Sequence, residues 1–378
     1  MTAVVWFRRD LRIHDNPALR AALDEHDEVI PAFVFDDRIL HGRNASGPRT
    51  QFLLDCLADL REQIPLVIRH GDPATELAEL GDVVYHAGQY PGLGVVDDLA
   101  GEKAWKVFTP YYRRWLEQPR RDVLQAPRRE LKTIRDRGTI PSLEELGLEE
   151  RAPDAMRGGE AEARRRLDNF VRRGYEQESH DRTSRLSPYL RFGCVSPREL
   201  EERVDDEEFR RQLCWRDFYL HVLIHDTKNP RNIRWEHDPE AFRAWCEGLT
   251  GFPLVDAGMR QLKAEGWMPN RVRLVVASFL TKDLGIDWRL GERWFMRWLL
   301  DGDVANNNGN WRWIAGEGVD RAPAWRRLYN PELQRERYDP DGTYVARWVP
   351  EYGTADYPEP IVDHRAAREA ALARYREA

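Results

Sequence analysis

The sequence has little cysteine. Its four cysteines, Cys56, Cys194, Cys214 and Cys246, are scattered over 378 residues without CxxC spacing. Disulfide scaffolds and zinc sites are built from closely spaced cysteines, so both classes are disfavoured. Scarce, scattered cysteine also fits a reducing compartment, and we expect a cytoplasmic protein.

Long apolar runs and targeting signals are also missing. No stretch approaches eighteen apolar residues, and the N-terminus MTAVVWFRRDLR does not have the shape of a signal peptide. The formal net charge of −7 does not indicate nucleic-acid binding, although it leaves room for a local basic face. We therefore expect no membrane association.

Two phosphate-binding fingerprints are absent. The first apolar run is not followed by GxGxxG, and there is no P-loop, so nucleotide-dependent dehydrogenases and P-loop hydrolases are disfavoured. The DGD triplet at 301–303 is not embedded in EF-hand spacing, and we expect no metal there. An acid paired with an arginine is the role that we favour for this triplet.

Tryptophan, by contrast, is abundant, with 14 residues. Most of these rings are expected to fill the core, as large aromatic side chains usually do. The alternative is that some of them stack on a ligand or carry an electron. Composition alone leaves both roles open.

The first third of the chain predicts an α/β domain. The apolar runs AVVWF, VIPAFVF, PLVI and DVVYH alternate with helical patterns such as NPALRAALDEH and GPRTQFLLDCLADLREQ. This alternation is typical of a parallel, Rossmann-like sheet. Residues 116–160 are rich in charge, proline and glycine, which predicts a linker between a domain at 1–115 and a domain at 161–378.

The remainder predicts an all-α domain. In QLCWRDFYLHVL and RVRLVVASFLTKDLG the apolar residues recur with a helical period, and Gly285 supplies a stop for the second helix. Three polar motifs also occur in this part: TSRLSPYLRFG, GWMPNRVR and DGDVANNNGNWRW. Hydroxyls before a helix start favour a phosphate, but each motif taken alone also fits a solvated or structural role.

Together the motifs resemble the photolyase/cryptochrome family over nearly the whole chain. VWFRRDLRIHDNPAL, KVFTPYYRRW, TSRLSPYL, LCWRDFY, GWMPNRVRLVVASFLTKDLGIDW and DGDVANNNGNWRW occur here in the family's order. The resemblance is nearest to bacterial and archaeal class I enzymes that act on cyclobutane pyrimidine dimers. It implies an α/β antenna-type domain followed by an all-α domain that binds FAD and DNA.

The resemblance also implies which residues bind FAD. Asp301 would pair with Arg273, and Asn307 would face the flavin ring near N5, where a neutral amide cannot supply a proton. The hydroxyl motif would lie at the FAD phosphates. The implied cofactor-binding residues are Tyr175, Thr183, Ser184, Arg185, Leu186, Ser187, Arg216, Asn270, Arg273, Asp301, Asp303 and Asn307.

The implied function is light-dependent DNA repair by a lyase. An electron passes from photoexcited reduced FAD to a dimer that has been flipped out of double-stranded DNA, and photolyases belong to the base-flipping enzymes. Trp311, Trp288 and Trp235 match an electron-transfer chain of indoles. The residues that match lesion or DNA contacts are Gln212, Trp215, Leu274, Trp313 and Gln334. Candidates for phosphate contacts are Arg312, Arg321, Arg326, Arg327, Arg335 and Arg337.

One departure from the family pattern leaves alternatives open. Gln212 stands where many enzymes for cyclobutane dimers have a glutamate, and (6-4) photolyases and animal cryptochromes share this glutamine. In (6-4) enzymes, histidines shuttle a proton at positions that here read Pro269, Asn270 and Leu274. Cyclobutane-dimer repair is therefore favoured. A cryptochrome-like photosensor, (6-4) repair and a flavoprotein without DNA binding are the alternatives.

A second departure is the short α/β domain. Only about a dozen residues separate GDVVYHAGQYPG from KVFTP, where family members have a further helix and strand that help to hold an antenna chromophore. We expect a folate or deazaflavin antenna to bind weakly or not at all. The expected partner is double-stranded DNA that carries pyrimidine dimers, and the expected state is a monomer.

Overall fold

The computed structural model describes residues 2–83, 94–96, 104–149, 152–174, 183–225, 233–320 and 323–377. The chain separates into two compact units. The first contains Met1–Arg151, Met156–Tyr175 and Ser184–His221, and the second contains Ala152–Ala155, Glu176–Thr183 and Val222–Ala378. Residues 184–221, which we assigned to the helical domain, thus group with the sheet. A functional division at 1–115, 116–160 and 161–378 stays a prediction.

A parallel sheet forms the centre of the first unit. Its four strands are β1 (Thr2–Trp6), β2 (Glu28–Phe35), β3 (Val67–His70) and β4 (Asp82–Val83), in the order β3-β2-β1-β4. Seven of the eight residues of β2 are buried. The near-continuous apolar run predicts this burial for a strand inside an α/β domain. The predicted α/β fold is confirmed.

Nine helices belong wholly or mostly to the described part of the first unit. They are α1 (Pro17–Glu25), α2 (Asp37–Leu40), α3 (Gly47–Gln63), α4 (Pro73–Ala78), α5 (Phe108–Glu117), α6 (Glu160–Arg173), α7 (Ser187–Phe192), α8 (Pro197–Arg203) and α9 (Glu207–Ile224). Short polar side chains cap several N-termini. Asn16 accepts from Leu19 N–H, and Ser196 accepts from the N–H groups of Arg198 and Glu199. These bonds satisfy donors that the first helical turn cannot pair internally.

The segment FRRDLRIHDN forms a structural hub rather than a reactive site. Arg12 is buried and donates to the carbonyl oxygens of Gly193 (2.9 Å) and Asp15 (2.7 and 3.1 Å). The Asp15 carboxylate accepts from Leu124 N–H at 2.9 Å and pairs with Arg121. The Arg12 bond to Gly193 ties the segment after β1 to the α7–α8 turn, in agreement with the grouping of residues 184–203 with the sheet, and the Asp15 bonds tie it to residues 121–124.

The segment predicted to be a linker forms backbone hydrogen bonds with β2 and β3. Residues 118–149 contain no helix or strand. Lys132 N–H nevertheless donates to Val29 O at 2.8 Å, and Ile68 N–H donates to Arg137 O at 2.9 Å. The segment therefore satisfies backbone groups of β2 and β3 and is part of the first unit.

The described part of the second unit is helical. Its α-helices are α10 (Pro239–Glu247), α11 (Pro253–Glu265), α12 (Asn270–Ser278), α13 (Trp288–Trp298), α14 (Val304–Ala315), α15 (Pro331–Tyr338), α16 (Thr343–Trp348) and α17 (His364–Glu377), with a 3₁₀ turn at Ala324–Arg327. One large buried cluster of apolar side chains lies among α10 to α16. No helix within the described ranges is long and apolar enough to cross a membrane.

The predicted single helix that ends at Gly285 is interrupted. The α-helix stops at Ser278, and a π-helical turn follows at Phe279–Asp283. Leu284 N–H donates to Phe279 O at 3.0 Å, and the Thr281 hydroxyl donates to Ala277 O at 2.8 Å. A hydroxyl that binds the carbonyl four residues earlier perturbs a helix, and apolar periodicity does not reveal it.

The π-helical turn also holds α17 through a buried ion pair, which makes stability depend on pH. The hydrogen bond to Asp283 raises the pKa of His364, and burial raises the pKa of Asp283. A histidine with a raised folded-state pKa stabilises fully below its unfolded-state pKa of about 6.5, and this stabilisation is lost as the pH rises through the folded-state value. The raised pKa of Asp283 likewise makes the folded state more stable at low pH than at high pH.

We therefore predict that His364→Asn lowers the free energy of unfolding most at acidic pH. The expected loss is about 2 kcal/mol near pH 6, as for a hydrogen bond to a charged group, and it shrinks towards about pH 9. Urea unfolding at several pH values measures it, with the exposed His237→Asn as the control. An equal loss at every pH would contradict the assignment.

Candidate active site

A pocket opens among α12, α13 and α14 of the second unit. Several residues that the sequence assigned to ligand contacts line it together. They are Asn270, Arg273, Leu274, Asp301, Asp303, Asn307 and Trp311. The motifs GWMPNRVR and DGDVANNNGNWRW therefore form one site, although Arg273 and Asp301 are 28 positions apart in the chain.

The acids of the DGD triplet have different structural roles. Asp301 forms a two-pronged ion pair with Arg273, with N···O distances of 3.0 and 2.8 Å, and Arg273 also donates to Met268 O. Asp303 caps α14 and accepts from the N–H and the side-chain NH2 of Asn306 at 3.0 and 2.8 Å. The predicted Asp301–Arg273 pair is confirmed, and its fork geometry fixes the guanidinium plane at the pocket.

The Asn307 amide has a defined orientation. Its Nδ2 donates to the backbone carbonyl of Glu292 on α13 at 2.9 Å, and the side chain is buried. A carbonyl oxygen only accepts hydrogen bonds, so the amide NH2 group must face Glu292. This leaves Oδ1, which can only accept, and the second N–H of the NH2 group for contacts in the pocket.

The three tryptophans assigned to electron transfer belong to one core. Trp311 and Trp288 are buried in the apolar cluster of the second unit, and Trp235 packs against it partly buried. The Trp311 ring lies 5.0 Å from the Phe295 ring and 6.2 Å from the Trp245 ring, both edge-on. This common core is compatible with a route for an electron, and the route itself stays a prediction.

Three residues that were expected to contact the lesion or FAD lie on α9 of the first unit. Gln212 and Trp215 are partly buried, and Arg216 donates to Leu190 O at 3.3 Å. The Trp215 ring stacks on Phe108, with centroids 3.7 Å apart and planes 3° from parallel. One face of the Trp215 indole is thus covered by a fixed ring of α5.

The hydroxyl motif lies before α7. Ser184 Oγ accepts from Leu186 N–H at 3.3 Å, and Arg185 has a positive φ of 50°. Buried Thr183 Oγ1 has no hydrogen-bond partner among the described residues. A buried hydroxyl without a partner is costly unless a ligand or water satisfies it, which fits a ligand here. Tyr175 lies outside the described residues.

One of the expected DNA-contacting arginines has another role. Arg327 is 2% exposed, pairs with Asp320 at 2.5 Å and donates to Trp313 O at 2.6 Å, with its guanidinium 4.1 Å from the Trp313 ring centroid. A buried and paired arginine cannot form part of a solvent-facing basic rim, so this candidate was wrong. Gln334 is partly buried on α15, and Arg321 lies outside the described residues.

Three features of the site were not anticipated from the sequence. The Glu292 contact comes from a backbone carbonyl, which leaves no trace in the side-chain pattern. Phe295 and Phe108 are aromatic residues in helices, and that pattern is equally typical of ordinary core packing. Only the quoted motif KVFTPYYRRW drew attention to the region of Phe108.

Comparison with known proteins agrees with this geometry. Residues 3–87 match the model for DNA photolyase, and residues 209–355 match the model for the FAD binding domain of DNA photolyase. The deoxyribodipyrimidine photo-lyase of Streptomyces griseus is 38% identical over an alignment of 449 positions that covers 97% of each chain.

Solved structures agree with this chain over its whole length. A class III photolyase from Agrobacterium tumefaciens superposes with a TM-score of 0.87 and 32% identity, covering 100% of this chain and 97% of its own. An archaeal photolyase from Sulfolobus tokodaii, described with two FAD molecules, gives a TM-score of 0.86 and 29% identity with complete coverage of both chains. The chain belongs to the photolyase/cryptochrome family.

Proposed function

We propose that this protein is a deoxyribodipyrimidine photolyase, an enzyme that uses light to split cyclobutane pyrimidine dimers in DNA. The observation that carries the proposal is the pocket of the second unit. All five expected FAD contacts between residues 270 and 307 line it, and it falls within the matched FAD-binding region. The photolyase from Streptomyces griseus supports the same activity, because it is related over nearly the full chain.

The expected cofactor contacts suit FAD. In the pocket, Asn307 Oδ1 offers an acceptor for a ring N–H group, and the hydroxyl motif with Thr183, Ser184 and Ser187 offers hydroxyls for phosphates. When bound and reduced, FAD supplies the light-driven electron that splits the dimer. Because Asn307 is an amide, it holds the ring without a proton to give. The Arg273–Asp301 pair keeps its charge oriented without rearrangement during the reaction.

The residues expected to contact the lesion suit a cyclobutane dimer. Trp215 and Trp313 offer indole faces to the flipped bases, and the Gln212 NH2 group can donate to a pyrimidine carbonyl. Leu274 lines the pocket with an apolar surface. Splitting a cyclobutane ring needs no net proton transfer, so a site without a histidine at Pro269, Asn270 or Leu274 suits this lesion.

Three features of the working protein are also proposed. Its partner is double-stranded DNA with a pyrimidine dimer, and it acts as a monomer in the cytoplasm. The four cysteines support a reducing compartment, because all of them are free thiols and buried. The arginines left as candidates for phosphate contacts are Arg312, Arg326, Arg335 and Arg337.

The lesion assignment is tested by offering two substrates to the chemically reduced protein under blue light. One oligonucleotide carries a cyclobutane thymine dimer, and the other carries a (6-4) photoproduct. We expect repair of the first only, because no histidine is placed to move the hydroxyl group of the second. Repair of the (6-4) lesion alone would refute the assignment. Repair of neither would favour the photosensor.

The electron route is tested by Trp311→Phe. We expect FAD to stay bound while its photoreduction by an external thiol slows severalfold, because phenylalanine is much harder to oxidise than indole. Repair by chemically reduced enzyme should persist. Trp298→Phe, a buried tryptophan of the same core, is the matched control. Photoreduction at the wild-type rate in Trp311→Phe would exclude the route.

The antenna is tested by the absorption spectrum and cofactor content of the purified protein. The segment of interest at 84–93 and 97–103 lies outside the described residues. The alignment with the Streptomyces griseus enzyme is 71 positions longer than this chain, so relatives carry segments that it lacks. We expect one FAD per chain and no second chromophore. A stoichiometric folate, deazaflavin or second FAD would contradict this expectation.

A further inference from the structure

Gly291 is the fourth of the 11 residues of α13 and lies inside the helix, where glycine is unfavourable. Glycine loses more backbone freedom on folding than alanine does, so it destabilises a helix interior unless packing requires it. Gly291 is buried, and its φ does not lie in the left-handed region. Its backbone conformation is therefore open to any residue, and the reason for glycine must be sought in what it contacts.

The Trp311 ring occupies the space of a side chain at position 291. A β-carbon there would lie against Trp311 Cη2 inside any normal non-bonded distance, 2.7 Å from Cζ3 and 2.6 Å from Leu280 Cδ2. The far edge of the indole thus rests directly on the backbone of α13. No other residue type leaves room for it.

The Trp311 ring is enclosed by other side chains of the core. Trp311 is 2% exposed, with Phe295 edge-on at 5.0 Å and Trp245 at 6.2 Å between ring centroids. Protein cores are close-packed, so a methyl group inserted on one side of a large ring forces a shift of the ring or of its helix. A shift of α14 would also strain the bond from Asn307 to Glu292 O, one residue after Gly291.

Gly291 also lies one helical turn after Trp288. Side chains three positions apart are neighbours on a helix surface, so the ring of Trp311 rests next to the turn of α13 that carries Trp288. The spacing between these two indoles therefore depends on how closely α14 approaches this turn.

We infer that Gly291 is a positioning residue for electron supply: its lack of a side chain brings Trp311 against the turn of α13 that carries Trp288. The inference rests on the proposed electron route. It adds that the route depends on a residue that is not aromatic and cannot be oxidised. A glycine kept only for packing would affect folding without affecting photoreduction of the folded protein.

The experiment compares Gly291→Ala with Gly258→Ala. Gly258 is a matched control, because it is a buried glycine inside α11 whose β-carbon would lie against Val272 Cγ1 and 3.1 Å from Val276 Cγ1. Photoreduction per bound flavin is measured without DNA, together with dimer repair after chemical reduction. We expect severalfold slower photoreduction in Gly291→Ala only, with repair by the reduced enzyme retained in both variants.

Each outcome bears on the inference. Wild-type photoreduction in flavin-loaded Gly291→Ala would overturn it, and so would equal slowing in Gly258→Ala. Failure of the wild-type protein to repair dimers would refute the proposed function alone, because photoreduction is measured without DNA. Normal photoreduction in Trp311→Phe would remove the route on which the inference rests.

A second measurement covers the case in which Gly291→Ala folds poorly. Phenylalanine lacks the outer indole atoms Cη2 and Cζ3, so Trp311→Phe should relieve the clash. In a double-mutant cycle followed by Tm, Gly291→Ala should lower Tm less when Trp311→Phe is present than when it is absent. Equal lowering in both backgrounds would show that the indole is not what the β-carbon meets, and would overturn the inference.

Discussion

The close approach of α14 to the N-terminal part of α13 is the constraint on which the site in the second unit depends. Trp311 rests on the α13 backbone at Gly291, and Asn307 is held by the carbonyl of Glu292 at 2.9 Å. Neither contact uses a titrating group. These two contacts therefore do not change with protonation, unlike the docking of α17 through His364.

The charged residues that line the pocket are all paired or hydrogen-bonded. Asp301 is balanced by Arg273, and Asp303 is occupied by the N-terminus of α14 and by Asn306. Acids near a helix N-terminus are favourable, because the exposed N–H groups carry partial positive charge. The acids of the motif thus have structural roles in the site, and the uncharged amide of Asn307 can contact a ligand.

The resemblance to the family implied the pairing of Asp301 with Arg273, and the alternation of apolar runs with helical patterns predicted the parallel sheet. The sequence did not predict the π-helical turn, which depends on the hydroxyl of Thr281 bonding to a local carbonyl. Arg327 was mistaken for a surface residue, because neither composition nor period distinguishes a buried guanidinium from a solvated one. Backbone contacts such as that of Glu292 carry no signal in side-chain pattern at all.

Each of the two indoles proposed to hold the lesion packs against another side chain on one face of its ring. Phe108 covers one face of Trp215 at 3.7 Å, and the Arg327 guanidinium lies 4.1 Å from the ring centroid of Trp313. Each support is itself fixed, since Phe108 is buried and Arg327 is bound to Asp320. A ring held in this way loses little freedom when a base stacks on its open face, and such preorganisation raises affinity. If Trp313 holds a flipped base, as proposed, then Arg327 contributes to lesion binding by supporting this ring rather than by contacting a phosphate.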